Sequence, residues 1–150
     1  MSTPENEASA DDPSIADEDD LLRRVPSVPH MVAEESDGKL RVTSAALIRK
    51  GETGCSVSVQ SRLPDPEAPL DLLEGFPETW GVVACTAGAA RDHGERRVVG
   101  RPEDNNLAHA EVIPNASSRK EQKRSLKALA ERMHFIREPV FGGPNALLGE

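Results

Sequence analysis

The chain has no tyrosine, and its only aromatic residues are Phe76, Trp80, Phe135 and Phe141, so a core has to be assembled from Val, Leu, Ile and Ala. With 150 residues, room exists for one such core. Nothing approaches the roughly 18 consecutive apolar residues that a membrane helix needs. The N-terminus is acidic where a signal peptide would be basic and then apolar. These absences predict a cytoplasmic protein with no membrane partner. Sulfur chemistry is confined to Cys55 and Cys85, both in apolar strand-like runs, and small buried thiols are the expectation there rather than a disulfide framework.

Positive charge is missing from the first twenty residues, which carry Glu5, Glu7, Asp11, Asp12, Asp17, Glu18, Asp19 and Asp20. Eight of the 26 acidic residues therefore lie there, and the other 18 balance the 18 Lys and Arg of residues 21–150. The net charge of −8 belongs to this stretch alone, so it carries no information about what the rest of the chain binds. Its composition, with a lone Ile15, is too polar to offset the entropy of ordering, and residues 1–20 are expected to form a disordered acidic tail. Arg outnumbers Lys by 13 to 5, which suits a GC-rich bacterial genome.

Several chemistries lack their motifs. His30, His93, His109 and His134 are spread widely, with no C-x-x-C or H-x-x-x-H spacing, so no metal is expected. Neither a dinucleotide fingerprint nor a P-loop occurs, and no cofactor is expected. Ser44, Ser56 and Ser58 lie in strand-like runs without a G-x-S-x-G elbow, so nothing points to acyl transfer.

What is present reads as one α+β domain over residues 21–138, with a flexible tail over 139–150. Leu21 and Leu22 open a short amphipathic stretch stopped by Pro26 and Pro29. Leu40, Val42, Ala46 and Ile48 alternate with polar residues, as do Cys55, Val57 and Val59, and the glycines of 50–54 would join the two runs into a β-hairpin. Pro64, Pro66 and Pro69 punctuate a connection, and Leu70 to Gly75 then reads as about one helical turn ended by glycine. Residues 80–86 are apolar almost throughout, which suggests a strand covered on both faces at the centre of the sheet. A short helix closed by Gly94 and strands at 96–99 and 108–113 follow. Ser118 and Glu121 form a capping box for a helix reaching about Phe135, with Leu126, Leu129, Ala130 and Met133 as its buried stripe. The expected architecture is a small two-layer domain, a mostly antiparallel sheet of about five strands with this C-terminal helix on one face.

Three groups of polar residues carry the candidate chemistry. His109 and Glu111, two apart on a strand, share a face, and an imidazole beside a carboxylate could serve as an oriented general base. Arg91 follows an apolar strand and a glycine, where it could clamp an anion. Arg119, Lys120, Lys123, Arg124 and Lys127 gather five cations at the start of a helix, where the dipole already favours an anionic partner. The opposite charge of the acidic tail predicts that residues 5–20 screen this basic stretch. With no complete catalytic constellation, the leading expectation is a binding or accessory module acting through a protein partner. The alternatives are an enzyme on a phosphate-bearing or other anionic small molecule, using Arg91, His109 and Glu111, and an anion-binding module using 119–127. Nucleic acid is a poor fit, for want of stacking aromatics and of a basic overall balance.

Overall fold

The computed structural model describes residues 10–47 and 54–141. The first nine residues of the acidic stretch, Ile48 with the turn at 50–53, and residues 142–150 of the expected C-terminal tail lie outside them. The strands are β1 (Asp20–Val25), β2 (Val32–Glu34), β3 (Leu40–Val42), β4 (Cys55–Val59), β5 (Gly81–Thr86), β6 (Arg96–Gly100), β7 (His109–Pro114) and β8 (His134–Arg137), with helices α1 (Ala87–Arg91) and α2 (Arg119–Arg132). Six strands form one antiparallel sheet in the order β6-β7-β4-β1-β5-β8, and β2 pairs with β3 separately. This is the expected α+β architecture with one strand more.

Alternation along β1 explains why the sheet is covered on both sides. Leu21 and Val25 join Cys55, Val57, Val59, Val83, Cys85, Ala110 and Val112 in the larger core cluster, closed by Leu126, Leu129 and Ala130 of α2. Leu22 points the other way and joins Val82 and Ala84 under Leu63 and Leu73 of the connection between β4 and β5. Cys55 and Cys85 are buried thiols, and burial pushes the Cys85 thiol up to about 12.

Four expectations are corrected. The hairpin of 40–60 does not form, because β3 pairs with β2 (Val32 opposite Val42) while β4 lies between β1 and β7. The strand pattern also stops at Val42, since Thr43 turns the chain by donating to the His30 carbonyl and Ser44–Ala46 forms a 3-10 turn. β5 is buried over Gly81 to Cys85 as its apolar run required, but β4 and β1 hold the middle of the sheet. The last helix ends at Arg132, because His134, Phe135 and Arg137 pair with the outer side of β5 and satisfy its backbone groups.

Residues 10–20 of the acidic stretch lie against the sheet. Ile15 is fully buried in the larger cluster, and the Asp12 amide donates to Val98 O while the Asp11 carboxylate accepts from Val98 N, so this segment straps the outer edge of β6. The amides of Ala87 and Gly88 donate to Asp19 O and Asp17 O. Composition weighs only apolar content, whereas over these residues the carboxylates of Asp11 and Asp17 find fixed donors.

Gly81 is needed for close approach: a Cβ there would lie 2.7 Å from Pro139 N and 2.8 Å from Pro139 Cδ. Gly81→Ala is expected to cost about 1–3 kcal/mol by forcing β8 and Pro139 away from β5. Urea denaturation with an unchanged slope and a lower midpoint checks this, and an unchanged midpoint contradicts it.

Candidate functional site

The pairing of β4 with β7 sets Ser56 opposite Glu111 and Ser58 opposite His109. Paired residues point to one face, so these four make a polar patch on the side of the sheet away from α2. β1 adjoins β4 only through Leu21–Val59 and Leu22–Ser58, and beyond them the two strands are not paired. Arg23 fills the opening, its Nε donating to Ala46 O (2.8 Å) and Nη1 to Ser56 O (2.6 Å). The result is an open cleft of about 600 Å³, within the range of ligand sites, with the serines, His109 and Glu111 as its floor.

Two walls enclose it. On the β1 side Arg24 lies 4.0 Å over the Phe76 ring and donates to Leu72 O, while Phe76 and Trp80 meet at 5.1 Å between centroids. On the β7 side Glu103 and Asn106 exchange backbone hydrogen bonds in a tight turn, and Asn106 Nδ2 donates to Ser58 Oγ (3.3 Å) while its Oδ1 accepts from the Ala108 amide. That turn holds Glu103 Oε1 3.9 Å from His109 Nδ1. Glu111 lies 3.5 Å from Arg101 Nε.

The His109 ring is oriented by its backbone neighbour. Nδ1 lies 2.9 Å from Arg101 O, and a carbonyl can only accept, so Nδ1 carries the proton and in the neutral ring Nε2 keeps its lone pair. His109 and Glu111 therefore come together in one cleft as carriers of acceptor atoms.

Arg91 does not line this cleft. Its Nε donates to Asp11 Oδ1 (3.0 Å), Nη1 to Asp17 Oδ1 (2.7 Å), and Nη2 to the carbonyls of Asp12 and Ile15. Burial pulls this guanidinium down, and the carboxylates of Asp11 and Asp17 outweigh it and hold it above its ordinary value. The anion Arg91 clamps belongs to the chain itself. Of the stretch expected to screen the basic helix, Asp11 and Asp17 are directed to Arg91 and Asp12 faces Arg62. Arg119, Lys120, Lys123, Arg124 and Lys127 all stand exposed on the outer side of α2, away from the cleft.

No family model, curated protein or solved structure matches this chain. Its site has to be read from its own residues. Among the described residues no group of three or more His, Cys, Asp or Glu is placed to hold a metal, and no helix is long and apolar enough to cross a membrane. Sequence reasoning missed Ser56, Ser58, Arg24, Glu103 and Asn106. The period-two polar positions of 56, 58, 109 and 111 were legible separately, but nothing local says that β4 and β7 are neighbours.

Proposed function

We propose that the chain is a binding module acting through a polypeptide partner that seats in the cleft between β1, β4 and β7. The observation that carries this reading is the combination of a polar floor with an apolar rim. Leu70 (41% exposed), Phe76 (38%) and Leu107 (69%) belong to the two segments that flank the cleft. Single exposed apolar side chains are ordinary, but Phe76 lines the cleft itself together with Leu72 and Trp80, and an apolar wall beside a polar floor resembles a recognition surface. The reading of an enzyme on an anionic small molecule draws less support, because it asks Arg91 to hold the ligand and the donors of Arg91 are engaged by the 11–17 segment.

A photo-crosslinking residue placed at Leu107 tests the proposal in native lysate, with one at Lys123 as the comparison. A discrete adduct from position 107 that disappears when Ser56→Trp fills the cleft is the expected outcome. Adducts from 123 alone would move recognition to the basic face of α2 and overturn this reading.

A further inference from the structure

We infer that the outer face of α2 docks an acidic segment of a polypeptide, at a surface separate from the cleft and on the other side of the sheet. Arg119, Lys123 and Lys127 follow one another at four-residue steps, and Lys120 and Arg124 form a second row beside them. The five cations therefore share one face about 12 Å long. All are exposed, and among the described residues the charged group of none of the five makes a hydrogen bond or an ion pair. Elsewhere the chain spends its cations on itself. Arg23, Arg62, Arg91, Arg96, Arg132 and Arg137 each donate to a group of the fold.

The helix does not need this charge. Leu126, Leu129 and Ala130 hold its buried side, and its first carboxylate, Glu121, accepts from Ser118 Oγ and so is turned to the cap. The four-residue pairs 119/123, 120/124 and 123/127 are all of like charge, and the dipole disfavours cations in a first turn, so both effects oppose the helix. An external anion relieves them. Among anions the surroundings favour an acidic polypeptide. No large apolar side chain is exposed on α2 to enter a bilayer, and no aromatic residue lies on it for a base to stack on. Glu131, one turn past Lys127, and Asp92 beside Arg132 close the face at its far end, where a continuous phosphate chain would meet like charge and a short acidic segment ends. Carboxylates at four-residue steps on a partner helix repeat at about 6 Å, the spacing of the cations.

The test uses the full chain, followed by amide NMR, and a capped alanine-rich helical peptide with glutamate at successive four-residue steps. Its glutamine counterpart and a single-stranded oligonucleotide are the comparisons. The glutamate peptide is expected to shift the amides of residues 119–127 saturably and to weaken as salt is raised, with the glutamine peptide weaker by about tenfold. Lys123→Gln combined with Lys127→Gln is expected to weaken the glutamate peptide while Tm stays the same or rises, because like-charge neighbours are removed. A fall in Tm would assign these cations to the fold and overturn the inference. Tighter binding of the oligonucleotide than of the glutamate peptide overturns it in favour of nucleic acid. Equal binding of the two peptides, no shift at 119–127, or shifts confined to the cleft amides of Ser58, His109 and Glu111 overturn the surface itself.

Discussion

Arg96→Ala is expected to lower the unfolding free energy by about 3–5 kcal/mol, the range for breaking a buried charged network. In a domain of this size that corresponds to a fall in Tm of roughly 10–20 °C. Arg96 has 1% of its side chain exposed, on a strand whose other inward residue is Val98. Its Nε donates to Ala90 O (2.6 Å), and Nη1 donates to Ser125 O (2.8 Å) and Ser125 Oγ (3.0 Å). It thereby binds the end of α1 and the middle of α2 to β6. Nη2 faces Asp92 at 3.5 Å, and Asp92 also receives Arg132 at 3.2 Å. Burial pulls the Arg96 guanidinium below its ordinary value. Truncation leaves a cavity and carbonyls without their donor. Arg96→Met separates the two costs, because it restores volume and not hydrogen bonds. Thermal unfolding of both variants decides the matter, and a loss below about 1 kcal/mol for the alanine variant would falsify the assignment.

Removing residues 1–19 is the second large effect. The deletion uncovers Ile15's site in the core, worth about 1.5–3 kcal/mol for burial of such a side chain. It also strands the Arg91 guanidinium, which has 16% of its side chain exposed and loses all four of its acceptors. The outer edge of β6 is opened at Val98. Open edges pair with other chains, so the truncated protein is expected both to unfold at about 3–5 kcal/mol lower free energy and to associate with rising concentration. Sedimentation and urea denaturation measure the two parts. A truncated chain that stays monomeric with unchanged stability would contradict the strap.

Acid acts on the same strap. The Asp12 carboxyl is held below its ordinary value by the Ser14 hydroxyl, opposed by burial and helped by the Ser14 amide, Arg62 and Arg91. A carboxyl depressed by folding contributes stability that is present above its unfolded pKa and is lost as pH falls through the folded value. The protection factors of the Asp12 and Val98 amides, exchange rates divided into their intrinsic values, should therefore fall below about pH 4 and stay constant between about pH 5 and 7. Faster exchange on raising the pH beyond the intrinsic base catalysis would reverse the sign.

Local signals were legible in this sequence, and long-range pairing was not. The capping box at Ser118 and Glu121 is present, with Ser118 Oγ accepting from the Glu121 amide. The glycine that ends the 69–73 turn has φ +81°. His109 and Glu111 share a face as their spacing required. Each of these depends on neighbours within a few residues. By contrast, Arg96 reads as an ordinary strand residue until α1 and α2 are folded over it. Arg91 reads as a free clamp until a segment some 74 to 80 residues earlier is brought to it. The hairpin failed for the same reason: two good strands adjacent in sequence found better partners elsewhere.

Of the five neighbouring pairs in the main sheet, β6–β7 alone joins consecutive strands. Closing such distant pairs slows folding, toward the millisecond-to-second range of non-local β topologies. During synthesis the strap is made before its seat on β6, which emerges some 80 residues afterwards, as the Val98–Asp11 separation of 87 indicates. At ribosomal speeds that is a wait of roughly 4–16 seconds. A segment that must later bury an isoleucine against a bare strand edge passes that interval as the most acidic stretch of the chain, hydrated and repelled from other nascent chains. The carboxylates that finally grip Arg91 thus serve beforehand as the strap's protection against premature pairing.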